Sequence, residues 1–318
     1  MKDWRTFLNA PQRKRTAGKM HDNRERTAVI LVNYNGIEDS VACIKGLCEA
    51  EGAESTTILF VDNASAADET AAIRERYPGV ITFRNESNGG FSAGNNVGIQ
   101  YALDNRYGYV LLLNNDTVAA PNMIRLLKGY CDEKTVSAPK ILYFTQPDTI
   151  WYGGGRINRR TGAAKHSNIN RKDTGDTKVK EVTFATGCCM MIKADVFEKI
   201  GLLEEDYFMY YEDTDFCTRL AMNGIKIKYV PEARLWHKIG RSAGGSGSPF
   251  ATYYVTRNRL NYVKKYGSFL DCTAYPFSLA SRYIRMAMCK DEAVKRAFRQ
   301  GIQDHMHGRC GKAEWLGG

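Results

Sequence analysis

The sequence lacks long apolar runs. Its longest uninterrupted ones, such as YVLLL at 109–113, are a handful of residues, whereas a helix crossing a bilayer needs about 20, so no membrane span is expected. The first 26 residues mix charged and polar side chains and have neither the apolar stretch nor the small-residue cleavage site of a secretory signal; export is not expected. Paired C-x-x-C spacings are also missing. The nine cysteines are odd in number, scattered, and include the vicinal pair Cys188-Cys189, which fits reduced thiols in a cytosolic chain and argues against structural zinc. No G-x-G-x-x-G opens the first helix and no G-x-x-x-x-G-K-[ST] occurs, so dinucleotide binding and P-loop phosphate transfer lose their main support.

What is present is a chain of 318 residues, 43% hydrophobic and 25% charged, enough to bury a full core as one catalytic domain with an appendage, or as two small domains. The formal net charge is +10, and it is unevenly placed. Residues 1–28 hold eight Lys/Arg against three Asp/Glu, and residues 234–318 hold fifteen against five, which leaves a mildly acidic centre. That pattern argues against a nucleic-acid groove, so no nucleic-acid partner is expected. It suits basic ends that touch an anionic surface, such as the inner face of the cell membrane. Plain solubility accounts equally well for the charge of residues 1–26, a basic arm with the composition of disorder.

From Thr27 the pattern alternates between short apolar strands and helical stretches. Strands are expected at 28–35, 56–62, 80–83 and 109–114, with helices between them and at 121–131. Strands without a polar face indicate a mostly parallel α/β sheet covered by helices on both sides. Ligands of such sheets sit beyond the C-terminal strand ends. Those ends carry Asn33, Tyr34 and Asn35; Asp62 and Asn63; Asn88, Gly89 and Gly90; and Asn114, Asn115 and Asp116. Each alone is ordinary turn chemistry; together they describe a polar pocket. The glycine-rich NGGFSAGNNVG, which includes Asn95 and Asn96, is placed to start a helix with N–H groups aimed at an anion.

The second half is less regular. Residues 151–162 read as a strand and turn, 163–180 as a mobile polar loop, 182–193 as an apolar strand, 194–201 as a short helix, 202–224 as an aromatic stretch and acid-opened helix, 225–231 as a strand, and 250–305 as helices. GRSAGGSGS after His237 reads as a hinge or lid. Asn114 and Asp116, two apart on an extended strand end, point the same way and meet the need of a hard divalent ion for one or two protein oxygens; an Asx turn or helix cap explains them too. Asp213 suits a general base, while Asp215 also serves the helix dipole and pairs with Arg219 one turn on. His237 is a candidate metal ligand; His305, His307 and Cys310, in a polar tail, are given no role.

VNYNG, VDNAS, NGGFSAGNN, LLLNNDT, the long run from ATGCCMMIK to FMYYEDTDFCTRL, and H-x-x-G-x-S, in this order over about 27–265, resemble the family 2 inverting glycosyltransferases, in particular their rhamnosyltransferase-like branch. The resemblance implies a GT-A fold, with a Rossmann-like nucleotide-binding half and an acceptor half around one mixed, mostly parallel sheet (27–249), followed by a helical extension (250–318). It implies Asn33 and Asn35 at the nucleotide pocket, Asp62 on the base or ribose, and 88–96 along the donor site. Mg²⁺ or Mn²⁺ would sit on Asp116, completed by His237 when its loop closes, with Asn114 standing where many members have aspartate. Asp213 would be the base and Glu212 would position the acceptor. The expected reaction moves a sugar from a dTDP- or UDP-sugar to a saccharide or lipid-linked acceptor, in the cytoplasm or at the membrane periphery. The alternatives are a nucleotidyltransferase, which normally needs a basic glycine-rich loop where VNYNGIED stands, and a non-catalytic carbohydrate- or nucleic-acid-binding module.

Overall fold

The computed structural model describes residues 23–239, 247–267 and 271–316. Strand β1 (Thr27–Asn33) is apolar and almost wholly buried, as befits a strand flanked by parallel neighbours with helices over both faces. Those neighbours come from β2 (Thr56–Asp62), β3 (Ile81–Arg84) and β4 (Tyr109–Asn114): β1 pairs in parallel with β2 and β4, and β2 with β3. Helices α1 (Ile37–Cys48), α2 (Glu69–Arg76), α3 (Gly90–Asp104) and α4 (Met123–Lys128) accompany them. This half matches the sequence reading, with element ends moved by a few residues.

The second half departs from it. Its strands are β5 (Thr117–Ala119), β6 (Thr135–Tyr143), β7 (Ile150–Tyr152), β8 (Gly155–Asn158), β9 (Ala163–His166), β10 (Lys180–Val182), β11 (Cys189–Lys193) and β12 (Lys226–His237). The sheet path is β10-β12-β6-β11-β4-β1-β2-β3, with β5 on β12 and β7 on β6. Strand β11 is antiparallel to both β4 and β6, whereas β12 runs parallel to β6. The sheet is thus mixed, and the C-terminal ends of β1, β2, β4, β6 and β12 share one edge.

The central β6 has no counterpart in the sequence reading, because Pro139 and Lys140 sit in its middle. Pro139 lies where β12 shifts register between Val230 and Arg234, so its missing N–H falls at an irregularity of the ladder. Lys140 is buried and pairs with Asp173 at 2.7 Å. Asp173 belongs to the stretch expected as a mobile loop; that expectation is corrected, since 163–166 pair with β8 as a hairpin, Thr149 bridges to Lys172, and Asp173 anchors the buried lysine. The apolar strand expected over 182–193 is regular only from Cys189, and the helix expected within 202–224 begins at Glu212 as α6 (Glu212–Met222). A short helix, α5 (Ala194–Ile200), precedes it.

The C-terminal helices α7 (Pro249–Lys265), α8 (Ala274–Met288) and α9 (Glu292–Met306) pack on one another. The tail is less polar in its surroundings than its composition indicates: His305 is buried and held by Tyr275 and Asn261. Residues 1–22 of the basic arm and 240–246 of the expected lid lie outside the described residues.

Candidate active site

The edge where β4 ends is shaped by a register. Strand β5 pairs antiparallel with β12, His237 opposite Thr117, which delivers the preceding Asp116 to the histidine. Nε2 of His237 lies 3.1 Å from Oδ1 of Asp116, and the Asn114 amide is 3.5 Å from the same nitrogen. Oδ1 of Asp116 is buried yet has no hydrogen-bond partner; the two atoms are neighbours without the alignment of a bond. The histidine is therefore a strand residue already beside the aspartate, not a loop residue awaiting closure. Its ring is oriented by the edge of Trp151, centroids 4.7 Å apart, while Nδ1 is buried without a partner. Among the described residues no group of three His, Cys, Asp or Glu forms a complete metal cage. An open pair of one carboxylate and one imidazole fits a cation that takes its remaining ligands from phosphate and water.

Tyr34, Asn35, Gly36, Asp39, Asn115 and Asp116 line a cavity of about 520 Å³ at this edge. Lys238 reaches it from the other side, donating to Asp39 at 2.8 Å, while its backbone N–H bonds the Asp116 carbonyl. Sequence reasoning missed Asp39, Lys238 and Trp151; the only local signal was Lys238 following His237.

Behind the cavity the predicted asparagines are bonded to the protein itself. Asn33 is fully buried: its amide donates to Glu69 at 2.5 Å and Ser65 at 3.3 Å, and its oxygen accepts from Ser40 and Asn115. Asn63 donates to Asn88 and to the Gly90 carbonyl and accepts from Asn85. Asn95 bonds back to Phe91, and Asn96 pins Leu203 and Glu205. Asn35, in the left-handed region at φ 53°, is exposed at the cavity, with its oxygen capping Ala66. Oδ1 of Asp62 accepts from Ser65, whereas Oδ2 is buried with no hydrogen bond, Arg84 standing 3.8 Å away. The start of α3 also differs from the expected anion cradle. The Gly90 N–H goes to Asn88 and the Phe91 N–H to the Phe208 carbonyl. Gly90, at φ 83°, is required by that approach, since a Cβ there would lie 2.1 Å from the Phe208 oxygen.

Phe208 opens the turn that delivers the acids. Phe208, Tyr210 and Tyr211 all have positive φ, a concentration of backbone strain that persists only when surroundings impose it. The surroundings are α7: the Asn258 amide donates to the carbonyls of Tyr207, Met209 and Tyr210 at 2.8–2.9 Å, and Arg257 adds a bond to Tyr207. Released from this turn, α6 begins with Glu212 and Asp213. Oδ2 of Asp213 accepts from the Gly187 N–H at 3.1 Å and Oδ1 from Thr214 at 3.2 Å. Burial pushes the Asp213 carboxyl up, against these bonds. Glu212, whose Oε2 is buried and unpartnered, is pushed well above the carboxylate range by burial and then by Asp213. Asp215 turns away into an ion-pair network with Arg219 and Lys265.

The two acidic centres meet on one edge. Gly187 precedes Cys188, whose carbonyl accepts from the Asn114 N–H at 2.9 Å, so the backbone that holds Asp213 is bonded to the strand end that bears Asp116.

Comparison with known proteins identifies the family and the fold. The sequence profile of glycosyl transferase family 2 matches residues 28–201. A low-salt glycan biosynthesis hexosyltransferase, Agl10 of Haloferax volcanii, is 33% identical over 248 residues, covering 73% of this chain and 74% of its own length. The dTDP-rhamnosyl transferase RfbF of Shigella flexneri is 26% identical, covering 74% and 79%. Among solved structures, GalNAc-T7 with UDP, GalNAc and Mn²⁺ superposes with a TM-score of 0.63 at 19% identity, over 92% of this chain and 56% of that one. The fold is that of the GT-A glycosyltransferases, and the chain belongs to glycosyl transferase family 2, whose enzymes pass a sugar from a nucleotide-sugar donor to a glycan acceptor.

Proposed function

We propose that the chain transfers a hexose from dTDP-rhamnose or a UDP-sugar to a saccharide or lipid-linked acceptor by a single inverting displacement, with Asp213 as the base. The observation that carries this is the pairing of a half-buried, backbone-anchored Asp213 with the Asp116–His237 pair on the same sheet edge. Asp116 and His237 are the residues to hold Mg²⁺ or Mn²⁺; the buried, unbonded Oδ1 of Asp116 supports that assignment. Such an ion, when bound, neutralises charge developing on the diphosphate. Tyr34, Asn35 and Asn115 line the donor cavity, and Asp62, assigned to the base or ribose, keeps one oxygen without a hydrogen bond, 3.8 Å from Arg84.

Asp213 takes the proton of the acceptor hydroxyl as that oxygen attacks the anomeric carbon opposite the departing diphosphate. Its bonds to Gly187 and Thr214 fix the carboxylate without using all its lone pairs. Glu212 positions the acceptor. Contact with an anionic membrane at the cytoplasmic face is supported by α8, which exposes Phe277, Tyr283, Ile284 and Met288 beside Arg285.

Asp213→Asn is the decisive variant: kcat falls about 10²-fold or more while donor affinity holds. Retained turnover, or loss of donor affinity in its place, moves the base elsewhere. A thermal-shift screen of dTDP-, UDP- and GDP-sugars with and without Mn²⁺ identifies the donor; no response to any of them counts against the proposal.

A further inference from the structure

Two guanidinium groups are buried near each other on the acceptor flank without a carboxylate partner among the described residues. Arg259 of α7 is 8% exposed and Arg282 of α8 is 4% exposed. Arg259 donates Nε to the Thr161 carbonyl at 2.8 Å. Arg282 has no hydrogen-bond or ion-pair partner among the described residues, and its Nε is buried. Burial first and Arg259 second push Arg282 down to about 10, with exposed Arg285, one turn along α8, adding to the effect. Buried arginines ordinarily meet a carboxylate, because an uncompensated interior charge is costly. This group is left one or more negative charges short.

Its place is informative. Arg259 and Ser278 both bond Thr161, in the turn of the β8–β9 hairpin. Tyr211, which lies within the electrostatic reach of Arg259 and Arg282, donates to Gly162 in the same turn and directly precedes Glu212 and Asp213. The hairpin itself carries Arg156, Arg160 and Lys165 around a cavity of about 660 Å³. That cavity is also lined by His166, whose ring packs 4.6 Å from Trp151, the residue that orients His237. Basic side chains thus line the hairpin, Arg160 standing 4.0 Å from Asp271, and the hairpin's turn is bonded to both α7 and α8.

We propose that Arg259, Arg282 and Arg285, extended by Arg156 and Lys165 of the hairpin, form an acceptor-side subsite for a phosphate-bearing group, either a phosphate or diphosphate ester on the acceptor or a lipid headgroup. The inference deepens the transfer reading and rests on it. A phosphate ester supplies up to two negative charges and several acceptor oxygens to forked guanidinium donors, which a single carboxylate does not.

The test is binding by the full chain in EDTA at physiological salt, which removes metal-dependent donor-site binding. One arm titrates phenyl phosphate and farnesyl diphosphate; the other sediments the protein with phosphatidylglycerol or phosphatidylcholine vesicles. Binding in the first arm assigns the phosphate to the acceptor, and selective retention by phosphatidylglycerol assigns it to a headgroup; either supports the subsite if Arg282→Met and Arg285→Gln each weaken it about tenfold. Without phosphate, Arg282→Met is expected to melt at or above the wild-type temperature, since it removes a buried unpaired charge; a merely structural arginine would lower it. No binding in either arm, or equal binding by wild type and both variants, overturns the proposal. Arg285→Gln alters an exposed side chain and decides the matter if Arg282→Met does not fold. Nucleotide-sugar binding by the wild type with Mn²⁺ is measured in parallel: its absence sinks the transfer reading, whatever the anion result.

Discussion

Two polar layers of the molecule use their buried groups in opposite ways. Under the donor cavity, Asn33 and Asn115 bond each other and Ser40, Asn33 also donates to Glu69, Asn63 donates to Asn88 and the Gly90 carbonyl, and Asn96 donates to the Leu203 carbonyl and Glu205. At the proposed ion site and on toward the acceptor side, Asp116 Oδ1, His237 Nδ1, Glu212 Oε2 and Arg282 Nε are buried without hydrogen bonds, and among the donor-side groups Asp62 Oδ2 is the exception that shares this state. A saturated layer is scaffold, whereas an unsatisfied one retains desolvation cost that a ligand relieves. The asparagines that look most like a binding motif in the sequence are thus largely the frame, and the acids and cations beyond them hold the unspent bonding capacity.

The sharpest way to break this comparison is Asn33→Ala. It leaves Ser40, Asn115 and Glu69 without a shared partner, so about 3 kcal/mol of stability is expected to be lost in a urea melt; a change near zero would mean that the layer is not a frame. Asp116→Asn tests the other side. Its unliganded melt should stay close to wild type, whereas the stabilisation by Mn²⁺ with nucleotide, about 2.7 kcal/mol at a hundredfold excess over Kd, should disappear. Retained metal-dependent stabilisation would remove Asp116 from the ion site.

Glu212→Gln has a smaller expected effect, and its sign depends on pH. The folded carboxyl is raised by burial and by Asp213, so the folded state binds more protons than the unfolded chain above the ordinary carboxylate range, and stability falls as pH rises through that window. The variant should therefore be more stable than wild type at pH 8 and show little gain at pH 4; an equal shift at both values would deny the buried charge. The raised Asp213 carboxyl also places the acid limb of kcat/KM above the usual carboxylate range, with rate lost as pH drops through it. A pH–rate profile flat down to pH 4 would contradict this.

The parallel half was legible because each strand is a contiguous apolar run closed by turn residues, a pattern that depends only on neighbours in the chain. Strand β6 was not, since Pro139 and Lys140 look wrong for a sheet interior until β12 shifts register beside one and Asp173 reaches the other. For the same reason His237 was read into a loop: the extension of β12 past Val230 depends on pairing with β6 and β5, not on local periodicity.

From the order of residues alone came the alternating α/β design, the identity of the strand-end polar groups, and the acids that open α6. Three-dimensional packing decided which of those groups are free. Asn258, far along the chain, holds the strained turn that aims Asp213, and the pairing of β5 with β12 brings His237 to Asp116. Hydrogen-bond saturation and charge neutralisation are properties of contacts between distant segments, and no local pattern records whether a buried oxygen or guanidinium has found its partner.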